Sequence, residues 1–298
     1  MKQLNLVPLV HEGPMARAYL AGLQSAGWRI DRLVLMVQRR DPATQRPVAP
    51  WLPQRWRCRL ARSVQDLRMN YWSRQLLREH AWCRPWLRRL ALGCGIDPEA
   101  LDGLTERPSF NHHATQVDEV LVDGLNDPAL HQHLAGLPPR STLLFTGGGM
   151  VPEPLLSLPG CRFLHVHPGV LPEVRGADGL LWSVLLRGRP GATAFYLSPG
   201  LDTGDIILAD DLPLPLLPAQ FATLDAAMRY RLLYAFVDPL LRAQRLLQVV
   251  QRSPSDLFAL PTTRQDPQAG TTFHFMNPRM RLFALDHLQT CAPSLAGA

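Results

Sequence analysis

Apolar residues in this chain fall into short blocks, broken by glycine- and proline-rich turns, and the blocks alternate between two periods. "LNLVPLV" (4–10) is a compact apolar run that predicts a strand. Residues 15–26 repeat their apolar positions at helical spacing, and "RLVLMV" (32–37) predicts a second strand. Strand, helix and strand at this spacing form a βαβ unit, which implies a parallel sheet and a right-handed crossover. After the irregular "RRDPATQRPVAPWLPQ", residues 57–92 read as helical. The rhythm then returns: strand 117–125, helix 126–137 capped by Asn126 or Asp127, strand 141–149 running into a glycine turn, and a short helix over 152–158. A strand over 161–167, a helix over 176–188, a strand over 191–198, the loop "GLDTGD" and a strand over 206–214 follow. Residues 219–250 predict one long amphipathic helix, and 251–298 are loop-rich, with a short helix over 277–288.

This order predicts an α/β fold: a Rossmann-like, mostly parallel sheet flanked by helices. Residues 1–250 are read as one catalytic domain carrying a variable, largely helical insertion over 39–110 rich in arginine and tryptophan, and 251–298 as a short C-terminal extension. Composition adds limits. Apolar content of 46% with 19% charged residues is that of an ordinary globular protein. The net charge of +6 suggests affinity for anions, but Lys2 is the only lysine, and an arginine bias of this kind can reflect base composition; nucleic acid is not expected as a partner. Five cysteines without a C-x-x-C pair argue for a reducing compartment and against a zinc knuckle. The first residues lack the apolar run of a signal peptide and no stretch is long enough to span a membrane, so a cytoplasmic protein is expected, compatible with a homo-oligomer.

Candidate chemistry concentrates in "FLHVHPGVLPEVRGADG" (163–179). His165 and His167 alternate at the end of a strand, which would turn both rings to one side at the carboxyl edge of the sheet, where ligands of open α/β sheets bind. Pro168 and Pro172 stiffen the loop that follows, and "GLDTGD" brings Asp202 from a second post-strand loop. A histidine with a carboxylate is the smallest acid/base pair. An H-x-H with a distant aspartate is also half of a zinc or iron site, so a metal-dependent hydrolase is the rival reading. No obvious third ligand motif accompanies it, and no metal is expected.

The span from "TGGGMVPEPLL" through "HVHPGVLPEVRG" to "GLDTGDII" resembles the catalytic core of formyltransferases that use 10-formyltetrahydrofolate, the family of glycinamide ribonucleotide, methionyl-tRNA and amino-sugar formyltransferases. The resemblance rests on two ordered elements and covers about 65 residues strongly. It implies a folate-dependent N-formyltransferase with 10-formyltetrahydrofolate as donor. By position, it implies that His167 is the catalytic histidine and Asp202 the catalytic aspartate. Arg175 and Gly176 match the loop's basic-Gly pair. Met150, Val151, Pro152, Leu155 and Leu156 match an apolar slot for the pterin ring, with backbone groups of Leu201, Thr203 and Gly204 as its other wall. One residue departs: His165 stands where the family has an asparagine held to bond the formyl oxygen. A ring N–H can serve a developing oxyanion too, so His165 is assigned as that donor. The change also admits a catalytically altered protein that binds folate without transfer.

The acceptor is expected to be the amine of a small molecule: an amino sugar, an amino acid derivative or a specialised metabolite. The tRNA-directed members carry an additional C-terminal domain for which little chain follows Val250, and "LVHEGPMARA" lacks the glycine-rich phosphate loop of the purine-pathway members. His11 and Glu12, at the tip of the first strand, are assigned to the acceptor pocket. His131 and His133 fall on different helix faces and are no ligand pair. "FHFMNPR" (273–279) is either a lid or packing. A non-enzymatic alternative, anion binding by the Arg/Trp-rich helices, is set aside because their arginines are spread around the helix rather than aligned in a stripe.

Overall fold

The alternating runs become an eight-stranded sheet in a computed structural model of the protein, which describes residues 2–104, 109–253, 255–266 and 268–292. The first half comprises β1 (Lys2–Leu4), β2 (Val7–His11), α1 (Pro14–Ser25), β3 (Trp28–Gln38), α2 (Gln54–Met69), α3 (Tyr71–Glu79), α4 (Cys83–Gly93), β4 (Ala114–Val122), α5 (Pro128–Ala135) and β5 (Ser141–Phe145). The second half adds α6 (Glu153–Leu156), β6 (Cys161–His167), β7 (Val174–Gly176), α7 (Gly179–Arg187), β8 (Gly191–Tyr196), β9 (Ile206–Asp211), α8 (Ala226–Leu232), α9 (Asp238–Arg252), β10 (Thr271–Phe273) and α10 (Pro278–Cys291).

Strands β4, β3, β2, β5 and β6 lie side by side and parallel, and β8 and β9 extend the sheet antiparallel. This is the Rossmann-like α/β architecture that the sequence predicts. The single strand expected over 4–10 is two: β1 pairs with the start of β3 and β2 with its end. Between them the Leu6 N–H turns back to the Leu4 carbonyl, which takes Asn5 and Leu6 out of the ladder.

The pleat sorts the core. Leu33, Leu35 and Val37 of β3 join the larger cluster with α1, α4 and α9, whereas Val34 and Met36 join a smaller one with α5 and α6. Insertion residues Leu76, Cys83, Trp86 and Leu90 belong to the larger cluster, and Trp86 donates to the Leu216 carbonyl, so the insertion shares the main core. Trp51 and Trp56 are exposed rather than packed.

The long helix expected over 219–250 is broken. A 3-10 turn (Ala219–Thr223) leads to Asp225, whose side chain caps α8 by accepting the Met228 N–H. A π-helical turn (Leu233–Val237) then joins α8 to α9. Pro239 is the physical reason for that turn: it has no N–H to give and its ring crowds the carbonyl four residues back, so the ladder widens before α9 resumes. Among the described residues no helix is long and apolar enough to cross a membrane.

Candidate active site

Strands β2, β5 and β6 end side by side at their carboxyl edge. That places His11, the turn after Phe145, and His167 along one rim. His11 donates its backbone N–H to Thr146 Oγ1, and burial holds its ring below the usual histidine pKa.

His167 is nearly inaccessible and its two ring nitrogens have different surroundings. Nε2 lies 2.8 Å from the Val174 carbonyl, which can only accept, so this nitrogen carries the proton. Gly169 and Gly179 close on the same edge: an added Cβ would come within 3.0 Å and 3.2 Å of Nε2, and at Gly179 within 2.1 Å of the Pro168 carbonyl. Nδ1 keeps its lone pair and sits 3.5 Å from Asp202 Oδ2. Nδ1 is therefore the nitrogen available to take a proton, and Asp202 is placed to stabilise the imidazolium that results. Burial lowers the pKa of His167, Asp202 opposes that shift, and the Arg242 cation adds to it. The ring's orientation comes from the Val174 carbonyl, at 2.8 Å, rather than from Asp202, at 3.5 Å.

Asp202 is held in the left-handed region at φ 54°, a conformation costly for a residue with a Cβ. Its Oδ2 accepts the Gly176 N–H at 2.8 Å, which links the two post-strand loops. From the C-terminal segment, Gln265 donates to the carbonyls of Asp202 and Gly204. Gly204 is packed so closely on Tyr196 that no side chain fits there. β10 pairs in parallel with β7, Phe273 stacks on Trp182, and the Met276 N–H reaches Asp178. Of the two readings for residues 273–279, packing holds at Phe273 and Met276. These supports were not legible in the sequence.

His165 departs from its expected role. Its Nδ1 lies 2.9 Å from the Phe145 carbonyl, just past the end of the β5–β6 ladder, and so carries the proton. Its Nε2 lies 3.3 Å from Arg242 Nη2 and accepts from it. Both nitrogens are committed, leaving no N–H for a formyl oxygen. Burial, then Arg242, push its pKa down to about 3, so the ring is neutral. The neighbouring guanidinium also makes this pair a poor chelate for a cation. Among the described residues no group of three His, Cys, Asp or Glu side chains gathers as a metal site.

Around this rim Met150, 65% exposed, and Leu201 present apolar surface, with Val151 and Pro152 beside Met150. Leu155 is fully buried in the smaller core cluster with Leu156 packed against it, so Leu155 backs a slot rather than lining it. Thr203 spends its hydroxyl on the Pro199 carbonyl. Arg175 is turned toward Gln265 and Asp266, away from the acceptor role expected of it. Gly176, at φ 90°, packs against the Phe273 carbonyl. Glu12 is buried too: its Oε1 receives Gly13 N, Arg17 Nε and Asn70 Nδ2, which ties the loop after β2 to α2 and α3 and takes it out of the acceptor pocket expected for it.

Residues 105–219, which contain His165, His167, Arg175 and Asp202, match the family model described as formyl transferase. A methionyl-tRNA formyltransferase of Syntrophus aciditrophicus is 34% identical over 145 residues, 47% of this chain and 45% of that protein. One from Acidobacterium capsulatum is 33% identical over 98 residues, 33% of this chain and 31% of its own. The chain thus spans less than half the length of these curated relatives. Among solved structures, a sugar N-formyltransferase from a Shewanella species aligns over 97% of this chain and 88% of its own, with TM-score 0.43 and 9% identity. The span that carries the His167–Asp202 pair is thus the part of the chain that is similar to formyl transferases.

Proposed function

We propose that the protein is an N-formyltransferase that moves a formyl group from 10-formyltetrahydrofolate to the amine of a small molecule. The observation that carries this reading is the His167–Asp202 pair, with Nδ1 unprotonated and 3.5 Å from the carboxylate at the open end of β6. In the reaction the acceptor nitrogen bonds to the formyl carbon, and the carbonyl π pair moves onto oxygen. Nδ1 of His167 takes the proton that the amine must lose. The oxygen lone pair then re-forms the carbonyl, the bond to the folate nitrogen breaks, and that nitrogen receives a proton from the imidazolium. Acid/base help of this kind contributes roughly 10²–10⁴ in rate. Asp202 stabilises the intermediate cation, and the Val174 carbonyl keeps the ring from turning. Met150 and Leu201 are the apolar surface offered to the pterin ring.

Support for a small acceptor comes from the segment after α9, where Gln265 and β10 fold back against the loops of the site and leave the rim as the approach. The test is a calorimetric titration with 5-formyltetrahydrofolate, a stable mimic of the donor, followed by transfer assays on amino sugars, amino acid derivatives and aminoacylated tRNA. Saturable micromolar binding and turnover with a small amine are expected. No binding to folded protein overturns the donor assignment, and turnover with tRNA alone overturns the acceptor class.

A further inference from the structure

The family resemblance makes His165 the residue out of place, and its surroundings show what accompanies the change. Arg242 lies one turn into α9, the helix that restarts after the π turn, and is buried. Its guanidinium is held on one side by Asp238, with Nη1 3.5 Å from Oδ2, and interacts with the Tyr19 side chain of α1. On the other side Nη2 reaches Nε2 of His165. A guanidinium has no acceptor and stays protonated, so this contact permits one arrangement only: the His165 lone pair faces the arginine and its proton faces Phe145.

We infer that Arg242 is a positioning residue for the site: opposite the Phe145 carbonyl it keeps the Nε2 of His165 unprotonated, and it sets a fixed positive charge behind the His165–His167 pair. This inference rests on the formyl-transfer reading for its purpose, since a base must enter the reaction unprotonated. With two imidazoles alternating on one strand, a proton shared between them would disable the base. The Arg242 cation keeps that proton away from both, against the pull of Asp202 on His167. The charged and titratable groups facing the pair are therefore Arg242 from α9, with Asp238 and Tyr19 behind it, and Asp202 from the loop after β8. The His165 ring also packs against Phe145 of β5 and Phe195 of β8, both uncharged.

The test is nitrogen-15 NMR of the imidazoles across a pH titration, run on the ligand-free protein together with the acid limb of kcat/KM. In the wild type the expected His165 signal is a single Nδ1–H tautomer that does not titrate with His167. R242K, which keeps the cation and a donor, is expected to preserve it. R242Q combined with D238N, which avoids leaving a buried carboxylate unpaired, is expected to keep the Nδ1–H directed at the Phe145 carbonyl but to let the freed Nε2 titrate, and to raise the His167 midpoint and the acid limb by about one pH unit. A wild-type His165 in the Nε2–H form overturns the inference without recourse to any variant. An unmoved His167 midpoint in the folded double variant overturns it as well, leaving Arg242 as packing. The NMR result does not need turnover, so a protein that binds no folate would sink the transfer reading while the tautomer assignment stands or falls separately.

Discussion

Two clusters of buried charge lie close to the carboxyl edge of the sheet, and they differ in how fully they are paired. Beside β2, Glu12, Arg17, Asp66, Asn70 and Arg74 bind one another: Arg17 bridges both carboxylates, and Arg74 holds Asp66 at 2.8 Å. Every carboxylate there meets a cation, and the result is a joint between α1 and the insertion helices. At the end of β6, by contrast, His167 keeps an unprotonated nitrogen 3.5 Å from a carboxylate whose stronger bond goes to a backbone N–H. Buried charges are stable when saturated with partners and reactive when one position is left open. By that measure the first cluster is structural and the second chemical, although both look alike as scattered charges in the sequence.

The comparison breaks most sharply at His167. H167A should lower the rate of transfer by roughly 10²–10⁴ with little loss of folding stability, since it removes a base whose burial opposes its charged form. Loss of folding together with activity would return His167 to a structural role. R17M should act the other way: about 3–5 kcal/mol of stability lost in urea unfolding, because Glu12 loses its cation and Asp66 one of two. An R17M protein as stable as the wild type would show that the first cluster is not what joins the insertion to α1.

The effect expected at His165 is absent at neutral pH and is read on the acid side. Its imidazole gains a proton near 6.5 in the unfolded chain but only at about 3 when folded. Between those values the unfolded chain holds the extra proton, so stability falls as pH drops from 6.5 toward 3. The limiting slope is about 1.4 kcal/mol per pH unit. H165N should remove this contribution and flatten the acid side of the stability curve, while transfer stays within about tenfold of wild type, less than the cost of losing one oxyanion donor. An unchanged acid slope would mean that His165 is not held neutral in the fold.

Much of the frame was legible because it is local. Compact apolar runs marked the strands, and His167 and Asp202 could be singled out because one ends a strand and the other lies in the loop after one. The β1–β2 break and the π turn at Pro239 were missed because apolar pattern alone does not record where a ladder is interrupted. Arg242, Val174 and Gln265 could not be picked out at all. Each reaches the site by a contact between residues far apart in the chain, and none differs in type from the many arginines, valines and glutamines elsewhere. The group that orients His167 is a backbone carbonyl, and a carbonyl leaves no mark in a sequence.

The parallel pairing of β10 with β7, together with Gln265 at the Asp202 loop, bears on how the protein is made. A growing chain releases both histidines and Asp202 well before residues 263–276 leave the ribosome. Until those residues emerge, the two loops lack the strand and the amide that hold them, and Asp202 has less to keep it in its left-handed conformation. Synthesis therefore finishes the scaffold first and the site last, so a chain cut short before β10 would keep its sheet and lack a working rim.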